Sequence, residues 1–292
     1  MNVRRKLHNL KSDFNGFVEL ISVYKQSQGL FFGGIEIDMS EVSWLEANMC
    51  SPFGAILYKI SRHLNKVKLT EIRPAVEKIL SKNSFLANYG RIQKFDTYGT
   101  TIEYKRFEPK DGRYFGEYIE SKLVGKGIPK MSPGLTKKFR ESIFEIFSNS
   151  VIHSETTMGI FSCGQYFPRL KRLDFAICDL GIGIRENIRK NCGFDLGPEK
   201  AIAWAMEGKN TTKKDNIPGG LGLKLLREFI TMNKGRILIV SDRGYWELTK
   251  TGKIVEAVLP DRFPGTVVNI EINTSDAKSY CLKSEIDPKD IF

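Results

Sequence analysis

Apolar and polar positions fall into two kinds of run along this chain. Ile35-Glu36-Ile37-Asp38 alternates, as a half-buried strand does, and Lys66-Val67-Lys68-Leu69 predicts a second strand. Between them Phe53, Ile56, Leu57, Ile60 and Leu64 keep a helical period behind Ser51-Pro52, with Pro52 suited to a first turn and Ser51 to an N-cap. Pro74 opens a short helix through Val76, Ile79 and Leu80. Upstream, residues 1–32 are polar and basic, then mildly apolar from Phe17 to Ile21, which predicts one short helix ending near Gln26–Gly29. Strand, helix, strand, helix over 34–88 is a small α/β unit. Residues 89–100 carry no periodicity and mark a boundary. The expected organisation is a unit over 1–95, a second over 96–274, and a polar, poorly ordered tail over 275–292.

In the second unit, Thr101–Phe107 alternates and predicts a strand, and Gly112–Leu123 carries Tyr114, Phe115, Tyr118 and Ile119 at helical spacing. A helix is expected over 135–154, a hairpin over 158–178 turning at Pro168-Arg169, a helix from Gly183, and another from Gly220 to about Asn233, stopped by Gly235. Final strands are expected over 236–241, 246–249 and 266–272.

The stretch Phe175-Ala176-Ile177-Cys178-Asp179-Leu180-Gly181-Ile182-Gly183-Ile184 organises this half. It delivers one carboxylate to the end of a buried strand, beside glycines that let the backbone turn sharply. A buried carboxylate needs a donor, and an adenine amine is one. Upstream, Glu145, Asn149 and His153 recur every four residues and stack along one helix face. Downstream, Pro218-Gly219-Gly220-Leu221-Gly222-Leu223 is a glycine-rich turn opening a helix, whose free N–H groups suit phosphate oxygens.

Glu-x-x-x-Asn, Asp-x-Gly-x-Gly and Gly-Gly-x-Gly-Leu, in that order, resemble the Bergerat ATP-binding fold of the GHKL superfamily over roughly residues 100–273. The resemblance implies a two-layer α/β sandwich with ATP and Mg²⁺ as ligands. It gives Asn149 to the metal, Glu145 to a general base, Asp179 to adenine with Gly181 and Gly183 beside the base, and Gly219, Gly220, Leu221 and Gly222 to phosphate. Ala201–Met206 followed by Glu207–Asp215 resembles the lid of that family, with Lys209, Thr211 or Thr212 reaching nucleotide. His153 stands where kinase branches carry a histidine or basic residue. The first unit resembles a STAS domain through Ile37–Leu45, Phe53–Leu57 and Arg73–Leu80. That family's regulatory Asp-Ser pair is replaced by Glu46-Ala47, which cannot be phosphorylated. The expected architecture is therefore α/β: a STAS-like unit ahead of a Bergerat unit.

Composition narrows the partners. The five cysteines are scattered and never form Cys-x-x-Cys, which argues for a reducing cytoplasm and against zinc or a disulfide framework. No apolar run reaches membrane-spanning length, and no membrane partner is expected. The net charge of +11 is spread out rather than gathered in a Lys/Arg block with interleaved aromatics, so nucleic acid is not the favoured partner. A protein partner is expected, and a homodimer is left open. Neither His8 nor His63 sits in a phosphoacceptor motif, and only a short segment follows Ile272, too little for a transducer domain. The leading expectation is a Mg²⁺-dependent, ATP-hydrolysing regulatory switch. The alternatives are a protein serine/threonine kinase acting in trans and a nucleotide-independent interaction module.

Overall fold

A computed structural model describes residues 2–208, 210 and 221–285. The chain is mixed α/β, with its sheets flanked by helices. It opens with β1 (Asn2–Lys6), α1 (Phe14–Ser27), β2 (Gly34–Asp38), α2 (Cys50–Ser61), β3 (Lys66–Thr70) and α3 (Pro74–Lys82). These strands form a three-stranded parallel sheet in the order β1-β2-β3, with Val3 level with Ile35 and Ile35 with Val67.

Strand β1 corrects the expectation of a helix alone in residues 1–32. Its basic composition conceals a strand because the charges are answered across the fold: Arg4 meets Asp38 at 3.0 Å and Arg5 meets Glu19 at 3.3 Å. Helix α1 begins at an Asp13 cap whose carboxylate accepts from the Gly16 N–H. Ser51 is not an N-cap. A 3₁₀ turn over Ala47–Met49 leads into α2, and the Ser51 hydroxyl donates 2.9 Å to the Phe161 carbonyl instead. Glu46 is buried between the Ser12 N–H and Arg172, each at 2.7 Å.

After an irregular stretch come β4 (Thr101–Phe107), α4 (Gly112–Leu123), the short β5 (Lys130–Met131), α5 (Pro133–Ile152), β6 (Ile160–Phe167) and β7 (Arg172–Asp179). Then follow α6 (Gly183–Cys192), α7 (Pro198–Met206), α8 (Leu221–Asn233), β8 (Arg236–Leu248), β9 (Ile254–Asn273) and the short β10 (Ser279–Tyr280). Strands β4-β6-β7-β9-β8 form a five-stranded antiparallel sheet in that order. β8 and β9 are longer than expected. Pro260, Pro264 and Gly265 interrupt the alternation of β9, and irregular pairing around Asp242 and Gly244 accommodates it.

The two faces of this sheet bury different cores. Leu173, Phe175 and Ile177 of β7 face Phe115, Phe147 and Phe229 of the helical layer. Cys178, with Phe161 and Val267, faces Phe17 of α1 and Phe53 of α2. The core therefore runs across the irregular stretch that separates the two units in sequence. Within the tail, residues 275–285 are built into the fold, against the expectation of a poorly ordered segment. β10 pairs in parallel with β5, and the Glu285 carboxylate accepts from the Gly134 N–H at 3.0 Å and from Ser132, covering the first turn of α5. No helix among the described residues is long and apolar enough to cross a membrane.

Candidate functional site

Strand parity places Asp179. Leu173, Phe175 and Ile177 alternate onto the helical face of the sheet, so Asp179 continues that row at the strand's end. It is buried, and it lines a cavity of about 150 Å³ between the sheet and α5. Helix α5 sends Glu145, Ile146, Asn149 and Ser150 into the same cavity, one turn apart in pairs, with His153 and Ser154 just past its end. Thr266 and Val268 of β9 and Ile239 of β8 form the floor. Ile184 and Ile188 of α6, Trp204 and Met206 of α7, and Leu223 of α8 supply apolar walls. This is a mostly apolar pocket with a few convergent polar groups, the usual form of a small-molecule site.

Desolvation dominates the electrostatics. Burial raises the Asp179 carboxyl to about 6, opposed by the N–H of Gly181 at 2.9 Å, by the Ser150 hydroxyl and by the Thr266 backbone. Among the described residues no cation pairs with it. Ser150 has one proton to give and also lies 3.2 Å from the Ile146 carbonyl, so its support of Asp179 is shared.

The glycines serve geometry. Gly183 opens α6 with φ of +80°, and a side chain there would press on Ser241, whose hydroxyl takes the Ile184 N–H at 2.9 Å. A Cβ on Gly181 would lie 2.0 Å from the Ser154 carbonyl oxygen, so this turn packs on the end of the α5 loop. Gly181 thus fixes the carboxylate from just outside the cavity, whereas Gly183 lines it.

Glu145 meets α8 directly. Its Oε2 accepts from the Gly222 N–H at 3.0 Å, and a Cβ on Gly222 would lie 2.2 Å from that oxygen. A carboxylate at the start of α8 is electrostatically favoured. Lys224 lies along the helix toward Glu228, 4.0 Å away, with more than half its side chain exposed.

The structure therefore gathers Glu145, Asn149, Asp179 and Gly183 around one cavity, with Gly181 and Gly222 touching that group. Leu221 is the first residue of α8. Lys209, Thr211, Thr212, Gly219 and Gly220 lie outside the described residues. Sequence reasoning missed Ser150, Thr266 and Asn187 as cavity residues, while Trp204 falls in the segment expected to resemble a lid. Ser150 was readable as the helix neighbour of Asn149. Thr266 is recognisable only once β9 is set opposite β7, where it pairs with Asp179.

No protein-family model matches this chain, and no curated protein matches it.

Proposed function

We propose that this chain is a Mg²⁺-dependent adenine-nucleotide-binding protein of the Bergerat type, which hydrolyses ATP and signals its nucleotide state to a partner protein. The observation that carries the reading is Asp179: a buried carboxylate, without a cation among the described residues, facing a cavity with apolar walls. Such a group costs stability in the free protein and suits a ligand that donates a neutral N–H. An antiparallel sheet with helices α4, α5 and α8 on the ligand face supports a Bergerat-type layer. The three-stranded parallel sheet on the opposite side is read as a STAS-like regulatory unit.

In this reading Asp179 accepts the adenine amine, and Ile184, Ile188 and Met206 pack around the base. Asn149 offers its amide oxygen to Mg²⁺. The described residues contain no cluster of three acidic, His or Cys ligands, so an ion held here draws its other ligands from phosphate and water, a shell that Mg²⁺ accepts. When bound, the ion neutralises charge on phosphate oxygens. Glu145, one turn before Asn149, orients the attacking water and accepts its proton.

Asp179→Asn replaces an acceptor-only carboxylate by an amide with a donor face. It is expected to weaken ATP binding by about 1–3 kcal/mol in calorimetry. Unchanged affinity would remove the adenine contact and with it the reading. Asn149→Ala is expected to leave the melting temperature within a degree or two and to erase the difference in ATP affinity between Mg²⁺ and chelator. Persistence of that difference would place the ion elsewhere. Labelled ATP, with and without candidate partners, separates released phosphate from phosphoprotein and so separates hydrolysis from transfer to a partner's hydroxyl.

A further inference from the structure

At the end of the parallel sheet where β2 and β3 begin, two loops present large apolar side chains to solvent. Phe31 is 60% exposed, Phe32 80% and Leu64 67%. Phe32 and Leu64 hold φ of +54° and +59°, the left-handed region that bulky residues avoid. The loops are tied together firmly. Asn65, buried between them, accepts from the Gly33 N–H at 2.9 Å and donates to the Leu30 carbonyl at 2.8 Å and the Ile60 carbonyl at 3.2 Å. The Phe32 N–H donates 3.2 Å to the His63 carbonyl, and the Phe31 ring sits edge-on to the His63 ring with centroids 4.9 Å apart. Strained backbone and exposed apolar tips held by a buried clamp form a built surface feature.

Its charge is one-sided. Residues 24–35 and 57–70 contain no Asp or Glu but carry Lys25, Lys59, Arg62, Lys66 and Lys68. Lys25 is paired with Asp261 of β9, and Glu36 stands beside Lys68 across the sheet. Arg62 and Lys66, which flank Leu64, are exposed and have no ion pair among the described residues.

We propose that this end of the first unit docks on an anionic lipid bilayer, inserting Phe31, Phe32 and Leu64 at the headgroup boundary with Arg62 and Lys66 against acidic headgroups. Apolar insertion and basic attraction are each weak, and reversible surface binding needs both. Such contact is peripheral and requires no spanning helix. It is independent of the nucleotide reading, since the cavity lies on the other face of the five-stranded sheet.

The test is co-flotation of the full chain with phosphatidylglycerol-containing vesicles and with pure phosphatidylcholine vesicles. Binding is expected on the anionic vesicles alone and should weaken as salt rises. Phe32→Asn and Leu64→Asn remove the apolar tips while placing Asn, which tolerates positive φ, on the strained backbone, so both variants should fold at least as well as the wild type. Each is expected to weaken vesicle binding roughly tenfold. Arg62→Glu and Lys66→Glu should each weaken it about fivefold or more, and Lys137→Glu on α5 should not. Absence of binding to anionic vesicles would overturn the proposal. So would binding that the Asn variants retain, which is electrostatic adsorption alone. Self-association in the absence of lipid, abolished by Phe32→Asn, would assign the surface to a second copy and also overturn it.

Discussion

Glu145→Gln is expected to bind ATP·Mg²⁺ with wild-type affinity and to release phosphate about 10²–10⁴-fold more slowly. The geometry makes Gln the informative replacement. Glu145 uses one oxygen to accept the Gly222 N–H at 3.0 Å, and the Gln side-chain oxygen can keep that bond. What Gln cannot do is take a proton from water. Loss of an interaction used only in the transition state lowers turnover and leaves ground-state binding alone. Glu145→Ala removes both functions, so it should add a structural defect at the start of α8. Calorimetry and a phosphate-release assay on the same preparation read the two quantities separately. Wild-type turnover in Glu145→Gln would reduce the residue to a cap on α8. Parallel loss of binding and turnover would make it a pocket-shaping residue and move the search for a base to His153, which lines the same cavity.

Much of this site was legible in the sequence because helix period and strand parity are local rules. Glu145 and Asn149 had to share a face of any helix over 135–154, and the apolar run ahead of Asp179 placed that carboxylate at the end of a buried strand. The partner across the sheet was not legible. Thr266 is nearly ninety positions away, and its register depends on how β9 absorbs Pro260, Pro264 and Gly265. Long-range polar pairing hid other features. β1 reads as a basic tail until Asp38 and Glu19 are placed beside it, and Ser51 reads as a cap until the Phe161 carbonyl arrives from another strand. The tail after Thr274 is polar, yet Tyr280 and Glu285 find partners on α8 and α5 that no local pattern announces.

Asp179 should make nucleotide affinity and fold stability respond to pH in opposite directions. Its carboxyl sits at about 6 in the folded, unliganded protein, against an ordinary value of 3.8, chiefly because burial disfavours the charge. The folded state therefore holds this proton more tightly than the unfolded chain does. The stabilising contribution of the protonated form is complete below about pH 4 and is lost as pH rises through 6. At neutral pH the buried charge costs the free protein roughly 3 kcal/mol relative to acid. Asp179→Asn cannot titrate, so its stability relative to the wild type should rise by an amount of that order between pH 4 and pH 7. Ligand binding has the other sign. If an adenine amine donates to the carboxylate, as proposed, the ionised form is the binding form, and affinity should fall about tenfold per pH unit below 6 while staying level above it. Bound nucleotide should accordingly pull the carboxyl back toward its ordinary value, and binding near pH 5 should release a proton measurable in buffers of different ionisation enthalpy. Calorimetric titrations across this range, paired with denaturation of the wild type and Asp179→Asn, test both signs on one residue. Affinity that holds level down to pH 4 would show that ligand does not depend on the ionised carboxylate, and the adenine contact would have to be given up.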